Sequence, residues 1–216
     1  MLNQQINPDT MSSKSKNKLH EKLKRSSDQI NDFRKMWQRC QSDCCEVRNS
    51  EIHGRGVYAT CDIKKEQQII EYVGELIDKA ESLKRSNRQL KHAAETGDAA
   101  VYIFTLGDKY DLDGNLPWNT ARLINHSCEP NCEAWMRGNK IFIHALRDIT
   151  KGEELSFDYG FDIETWEDHP CLCSSKNCIG YIVSRSQWPE LEKRKQEKHA
   201  SSQSITPVEK PKKKNR

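Results

Sequence analysis

The sequence predicts an α+β domain, mostly β, over about residues 45–185. Three observations carry that expectation. Short runs rich in β-branched and aromatic residues recur between Gly, Asn and Asp turn signals, as they do where short strands build a sheet. Only one long stretch within these bounds, Asp78 to Gly97, has helical composition with no proline and no internal glycine. Strands also do not alternate with helices, which argues against a parallel βαβ sheet. No internal repeat is visible.

Residues 1–44 form a basic, polar arm, expected to be largely disordered. One short helix is expected there, over Asp28 to Arg39, where Ile30, Phe33 and Trp37 recur at helical spacing. Cys40, Cys44 and Cys45 have no second pair nearby to complete a zinc site and read as buried or incidental thiols. Gly54-Arg55-Gly56 leads into a strand-like run to Ala59; two glycines one residue apart suit a turn, or the close approach of a ligand to the main chain. Ile69 to Ile77 reads as a strand, a turn at Gly74 and a second strand. The helix from Asp78 ends at Gly97, and Val101 to Leu106 is a strand. Turn signals at Gly107-Asp108 and Asp113-Gly114-Asn115 bracket Tyr110 and Leu112. Trp118 to Ile124 is expected as a short helix. Glu133 to Met136 and Lys140 to Ala145 make a hairpin across Arg137-Gly138-Asn139. Glu153 to Tyr159 is a strand following the turn at Ile149 to Gly152, and beyond Trp188 the chain turns helical and charged.

The 216 residues, 35% hydrophobic and 31% charged, suffice for one domain with arms. No apolar run approaches the roughly 18 residues of a membrane span, and no secretory h-region follows the N-terminus. A membrane partner is therefore not expected. The nine cysteines read as reduced thiols of an intracellular compartment, open to metal, rather than as a disulfide framework. The net charge of +3 hides a segregation: +5 over residues 1–40 and +6 over 191–216 leave −8 for 41–190. An acidic body disfavours a nucleic-acid-binding core and suits a cationic peptide partner. The basic arms can contact nucleic acid. The terminal run Lys210-Pro211-Lys212-Lys213-Lys214 can serve as a nuclear address, failing which the cytoplasm is expected.

The densest chemistry lies between Arg122 and Cys132, where Asn125, His126, Ser127 and Cys128 follow the apolar pair Leu123 and Ile124. Polar side chains this crowded are costly to bury without partners, so a charged ligand or a metal is expected beside them. Cys171, Cys173 and Cys178 form Cys-x-Cys-x4-Cys. They supply three thiolates where a closed tetrahedral zinc site needs four. Cys128 is the expected fourth donor and Cys132 its competitor.

Gly54-Arg55-Gly56, Tyr72 within Glu-Tyr-Val-Gly-Glu, Tyr102-Ile-Phe, the stretch Arg122 to Asn131, Gly152-Glu-Glu-Leu-Ser-Phe-Asp-Tyr159 and the cysteine triplet stand in a recognisable order. Together, over about residues 47–183, they resemble SET-domain protein lysine methyltransferases with a cysteine-rich post-SET segment. The compact domain with simple arms is similar to stand-alone SET proteins found in bacteria, chlamydia-like ones among them. The resemblance implies a β-clip SET domain at 45–163 with one inserted helix and a post-SET zinc segment at 164–185, followed by a basic helix and tail at 186–216. It also implies a pseudoknot in which the Asn-His stretch meets the Asp-Tyr strand. The departures are Leu123 where Phe is usual, Trp118-Asn119 in place of Gly-Asn, and Ser174 in place of Gly.

The same resemblance implies transfer of methyl groups from S-adenosylmethionine to a lysine amine of a basic protein, a histone or histone-like one. The alternatives are a non-histone target such as a ribosomal protein, or a non-catalytic, zinc-stapled module that binds basic peptides. Free lysine, with a pKa of about 10.4, is neutral in only about a thousandth of its population at neutral pH. The reaction therefore needs a desolvated channel that favours the amine. By resemblance Tyr159 orients amine and methyl, Tyr102 is a second channel tyrosine, and Phe157 leaves room for di- or trimethylation. Gly54, Arg55, Gly56, Tyr72, Arg122, Asn125, His126 and Tyr159 are implied to hold the cofactor. Cys128, Cys171, Cys173 and Cys178 are implied to hold zinc.

Overall fold

A computed structural model describes residues 13–96 and 102–203. Gly97, Val101 and the Lys210 to Arg216 run, named above, lie outside them. The described chain contains helices α1 (Ser13–Arg39), α2 (Lys79–Thr96) and α3 (Trp188–Gln203). Its ten strands are β1 (Cys45–Asn49), β2 (Arg55–Ala59), β3 (Gln68–Tyr72), β4 (Glu75–Asp78), β5 (Ile103–Thr105), β6 (Tyr110–Asp113), β7 (Asn125–His126), β8 (Cys132–Arg137), β9 (Lys140–Ala145) and β10 (Ser156–Phe157). This is the mostly-β α+β architecture that the sequence predicts. No described helix is long and apolar enough to cross a membrane.

The chain divides into two compact units. Of the described residues, one unit combines those up to Cys45 with those of Gln68–Leu123 and Trp135–Ile143; the other combines those of Glu46–Gln67, Ile124–Ala134 and His144 onward.

In the first unit β4, β6 and β5 form one antiparallel sheet, with Leu76 opposite Leu112 and Phe104 opposite Leu112 on the other side. A second sheet runs in the order β3-β9-β8. β3 and β4 thus follow one another in sequence but join different sheets. The turn at Gly74 is a passage between sheets and not a hairpin. Gly74 is required there, because a Cβ would lie 2.7 Å from the carbonyl oxygen of Asp113. α2 docks on β4 and β6 through charge and leaves Leu83 and Leu90 exposed. Lys79 reaches the buried Asp111 at 2.6 Å, and Arg85 joins Glu75, Glu81 and the buried Asp113 at 2.8–2.9 Å. Two buried carboxylates would be costly alone, and these pairs offset that cost.

α1 corrects the expectation for the N-terminal arm: the helix begins at Ser13, not Asp28. No glycine or proline falls between Ser13 and Arg39, and Lys, Leu, Arg, Gln and Met are strong helix formers. Its Lys and Ser content imitates disorder without preventing a helix. Its C-terminal end is anchored by Arg39 on the buried Glu71 at 2.9 Å, by Phe33 edge-on to Trp118 at 5.0 Å, and by the Cys40 thiol on the Trp118 carbonyl at 3.1 Å. Trp118 to Ile124, expected as a helix, is a 3-10 turn over Thr120–Leu123.

In the second unit β1 pairs with β2. The expected strand Glu153 to Tyr159 splits between two partners. Residues 153–155 run antiparallel along β2, with Tyr58 opposite Glu154, and Ser156–Phe157 then pairs with β7. Val57, Ala59, Ile63, Ile124, Ile149 and Leu155 are buried in this unit. A smaller cluster of Ile163, Trp166, Val183 and Leu191, with Ile179 and Tyr181 against it, fixes α3 to the cysteine-rich segment. Trp166 and Tyr181 meet edge-on at 4.4 Å.

Cys44 and Cys61 each take part in a disulfide, and the other seven cysteines carry free thiols. This corrects the reading of all nine cysteines as reduced thiols, since spacing along the chain does not reveal which thiols oxidise.

Candidate active site

β7 has two residues, and both matter. It runs parallel to β10, with Asn125 opposite Ser156 and His126 opposite Phe157. The Ser127 N–H extends the pairing to the Phe157 carbonyl at 3.3 Å. This is the meeting of the Asn-His stretch with the Asp-Tyr strand that the resemblance implies.

Asn125 is buried, and its amide nitrogen faces four acceptors: Ser50 Oγ at 3.0 Å, the His53 carbonyl at 3.3 Å, the Arg55 carbonyl at 3.1 Å and Glu154 Oε1 at 2.9 Å. Two N–H bonds shared over four acceptors tie β7 to the loop that carries Gly54, Arg55 and Gly56. Gly54 sits at φ +51° with no atom within 4 Å of where a Cβ would stand, so the loop main chain is open on that side. Gly56 is the reverse case: a Cβ there would lie 2.2 Å from Glu154 Oε1. Gly56→Ala should push that carboxylate away and cost about 1–3 kcal/mol by overpacking. Chemical denaturation of the two proteins checks this, and an unchanged midpoint would contradict it.

His126 Nδ1 accepts the Tyr159 N–H at 3.2 Å, which leaves the ring proton on Nε2, 3.7 Å from Cys128 Sγ. Burial pushes the imidazole down to about 4, against the raising effect of Asp158, so the ring is neutral at neutral pH. Tyr159 donates its hydroxyl to the Ile124 carbonyl at 3.0 Å. Its ring lies 5.0 Å from Phe157, 5.6 Å from Phe161 and 5.4 Å from His126. Phe157 is buried. The second unit thus gathers Gly54, Arg55, Gly56, Asn125, His126, Phe157 and Tyr159 into one aromatic and amide-lined arrangement.

The first unit holds the other three expected residues as a group. The Tyr72 hydroxyl donates to the Tyr102 carbonyl at 3.0 Å, and the Arg122 guanidinium lies over the Tyr102 ring at 5.2 Å. Tyr72 is buried edge-on to Phe104 at 4.7 Å and supports the Tyr102 main chain. Gly114 is required beside it, since a Cβ would come within 2.1 Å of the Tyr72 ring. The Arg122 Nε is buried with no hydrogen-bond partner among the described residues.

Cys128, Cys171, Cys173 and Cys178 place all four sulfur atoms within 4.8 Å of one another, the only such group among the described residues. Cys128 Sγ is 3.7 Å from Cys171 Sγ and 3.9 Å from Cys178 Sγ. A tetrahedron with metal–sulfur bonds of about 2.3 Å has edges of about 3.8 Å, so the spacing suits a four-thiolate centre. A short ladder holds the segment in place, with the Cys171 N–H on the Gly180 carbonyl and the Ile182 N–H on the His169 carbonyl. Burial pushes the Cys128 thiol up to about 12 and also raises Cys171. Burial acts the same way on Cys173, but hydrogen bonds from the Cys128 N–H and from Ser175 outweigh it and bring Cys173 down to about 6. Cys132, the competing donor, directs its thiol to Asn131 Oδ1 at 3.4 Å, outside the cluster.

Sequence reasoning missed Ser50, Tyr58, Asn131 and Glu154. Asn131 clamps the 153–157 segment, donating to the Glu154 carbonyl at 2.8 Å and accepting the Ser156 N–H at 2.8 Å. Only Asn131, inside the polar stretch, carried a local signal.

Residues 54–160 match the SET domain, and over these residues the chain belongs to the SET-domain family. It is 42% identical over 144 residues to the histone-lysine N-methyltransferase trithorax of Drosophila virilis, which covers 65% of this chain and 4% of that protein. It is 42% identical over 139 residues to a histone-lysine N-methyltransferase, H3 lysine-4 specific, of Chaetomium globosum, covering 62% of this chain and 12% of the relative. The protein of the same description from Saccharomyces cerevisiae is 39% identical over 139 residues, covering 62% and 12%. The chain therefore spans a small fraction of the length of these relatives, all three of them eukaryotic.

Proposed function

We propose that this chain is an S-adenosylmethionine-dependent protein lysine N-methyltransferase, that its substrate is a histone tail, and that H3 lysine 4 is the first residue to test. The observation that carries the reading is the β7–β10 pair, which sets His126 and Tyr159 against one another beside the glycine loop. The names borne by the relatives support the histone choice, and the net −8 of residues 41–190 suits a cationic tail.

S-adenosylmethionine would supply a methyl group on a sulfonium, with the protein left to bind and orient. The open main chain at Gly54, held in place by Asn125, fits the approach of a small zwitterionic ligand. Tyr159 spends its one proton on the Ile124 carbonyl, so its oxygen presents lone pairs that can accept an N–H of the incoming amine. The Phe157 and Phe161 rings flank the Tyr159 ring, and an apolar surrounding of that kind favours the neutral amine over the ammonium. Cys128, Cys171, Cys173 and Cys178 would hold a zinc ion as a structural centre.

Phe157 has no hydroxyl to fix a water beside the amine, and we read this as room for a second and third methyl group. Phe157→Tyr should shift the products toward monomethyl-lysine with total turnover little changed; mass spectrometry of a methylated H3 tail peptide reads the ratio, and an unchanged ratio removes Phe157 from product control. The reading as a whole is tested by transfer of labelled methyl from S-adenosylmethionine to purified histones, with the modified lysine located by mass spectrometry. Absence of label on histones and on any other basic protein overturns it.

A further inference from the structure

We propose that Glu154 is a positioning residue that shapes the 50–56 loop for the cofactor, an inference that rests on the reading of this loop as an S-adenosylmethionine site. Its two carboxylate oxygens gather donors from three separate segments. Oε1 accepts the Ser50 hydroxyl at 2.7 Å and the Asn125 amide at 2.9 Å, and Oε2 accepts the Tyr58 phenol at 2.8 Å. Ser50 passes the constraint into the loop: its Oγ accepts the N–H of Ile52 at 2.9 Å and of His53 at 3.3 Å. Its own N–H closes the loop on the Gly54 carbonyl at 2.9 Å. One carboxylate therefore joins the start of the loop, the strand that leaves it and β7.

The geometry suits a carboxylate at this position. Three donors converge on it, and a carboxylate offers an acceptor on each of its two oxygens. Partial burial and the adjacent carboxylate hold the Tyr58 phenol above its ordinary range, so it remains a donor. Gly56 leaves the space the carboxylate fills. Glu154 also sits where its segment leaves β2 for β7. The same residue thus sets both the loop and the strand that Tyr159 follows.

The test compares Glu154→Ala and the near-isosteric Glu154→Gln with the unmodified chain. Three quantities are read: S-adenosylhomocysteine affinity by calorimetry, separate KM values for S-adenosylmethionine and for a histone H3 tail peptide, and amide hydrogen exchange at residues 50–56 without ligand. Losing hydrogen bonds to a charged acceptor predicts cofactor affinity weakened about tenfold or more in Glu154→Ala. The cofactor KM should rise in parallel while the peptide KM stays within about twofold, and the 50–56 amides should exchange faster. Glu154→Gln should recover part of the affinity, because its amide oxygen keeps one set of donors. Unchanged affinity with unchanged exchange overturns the proposal. So does an equal rise in both KM values with general loss of exchange protection, which marks unfolding. If the unmodified chain fails to bind S-adenosylhomocysteine, the cofactor reading fails, and faster exchange confined to 50–56 in Glu154→Ala would still uphold the hold on the loop.

Discussion

Tyr159→Phe is expected to lose turnover by about 10²–10³-fold, the range for removing one preorganised hydrogen-bonding group from a reaction site, while S-adenosylhomocysteine still binds. The ring should stay where it is. Phe157, Phe161 and His126 surround it, and its main-chain N–H on His126 Nδ1 does not depend on the hydroxyl. What is lost is one oxygen. In folding terms that leaves the Ile124 carbonyl without its hydroxyl donor, at a cost of about 1–3 kcal/mol, so the variant should remain folded. In chemical terms it removes the acceptor that would fix the direction of the amine lone pair. Labelled-methyl transfer gives kcat and calorimetry gives binding. Equal rates in the two proteins would take Tyr159 out of the mechanism.

The second large effect concerns the four thiols. The chain should carry about one zinc ion, and Cys173→Ser should abolish stoichiometric zinc together with methyl transfer. A structural zinc in a small peptide is worth on the order of 10 kcal/mol or more at neutral pH. The 164–185 segment has little else to fold it: a short ladder, and the cluster formed by Ile163, Trp166 and Val183 with Leu191. Cys128 lies two residues after His126, so loss of the centre would free the chain immediately behind β7. Elemental analysis and limited proteolysis check both parts, with cleavage in 164–185 expected only after metal removal. A metal-free chain with full activity would refute the assignment.

Much of the site could be read from residues with strong local signatures. Asn125 and His126 stand out because four polar residues follow two apolar ones, and the three C-terminal cysteines stand out by spacing. The sequence put Cys128 ahead of Cys132 as the fourth donor but kept both in play; in space Cys128 joins the cluster while the Cys132 thiol engages the Asn131 side chain. Strands with β-branched runs were legible, and so was α2. The start of α1 was not, since a lysine- and serine-rich helix and a disordered arm share a composition. Nor was the role of Gly74, because local rules favour joining neighbouring strands in one sheet. Glu154 was invisible for a different reason. One of two adjacent glutamates in an amphipathic run looks like surface, and its importance comes entirely from Ser50, Tyr58 and Asn125, which lie 104, 96 and 29 residues away in the chain.

The pair of two-residue strands, β7 and β10, also has a bearing on folding. Their partners are separated by roughly thirty residues, and closing such a loop costs about 3 kcal/mol of chain entropy before any contact is made. A ladder of two residues returns little of that by itself. The side-chain locks at Asn125 and Asn131 must already be within reach for the pair to persist. Refolding should therefore complete this region late, as expected for contacts of high sequence separation. In the native state it should be among the first places to open, with the Ser127 amide exchanging sooner than the amides of β2.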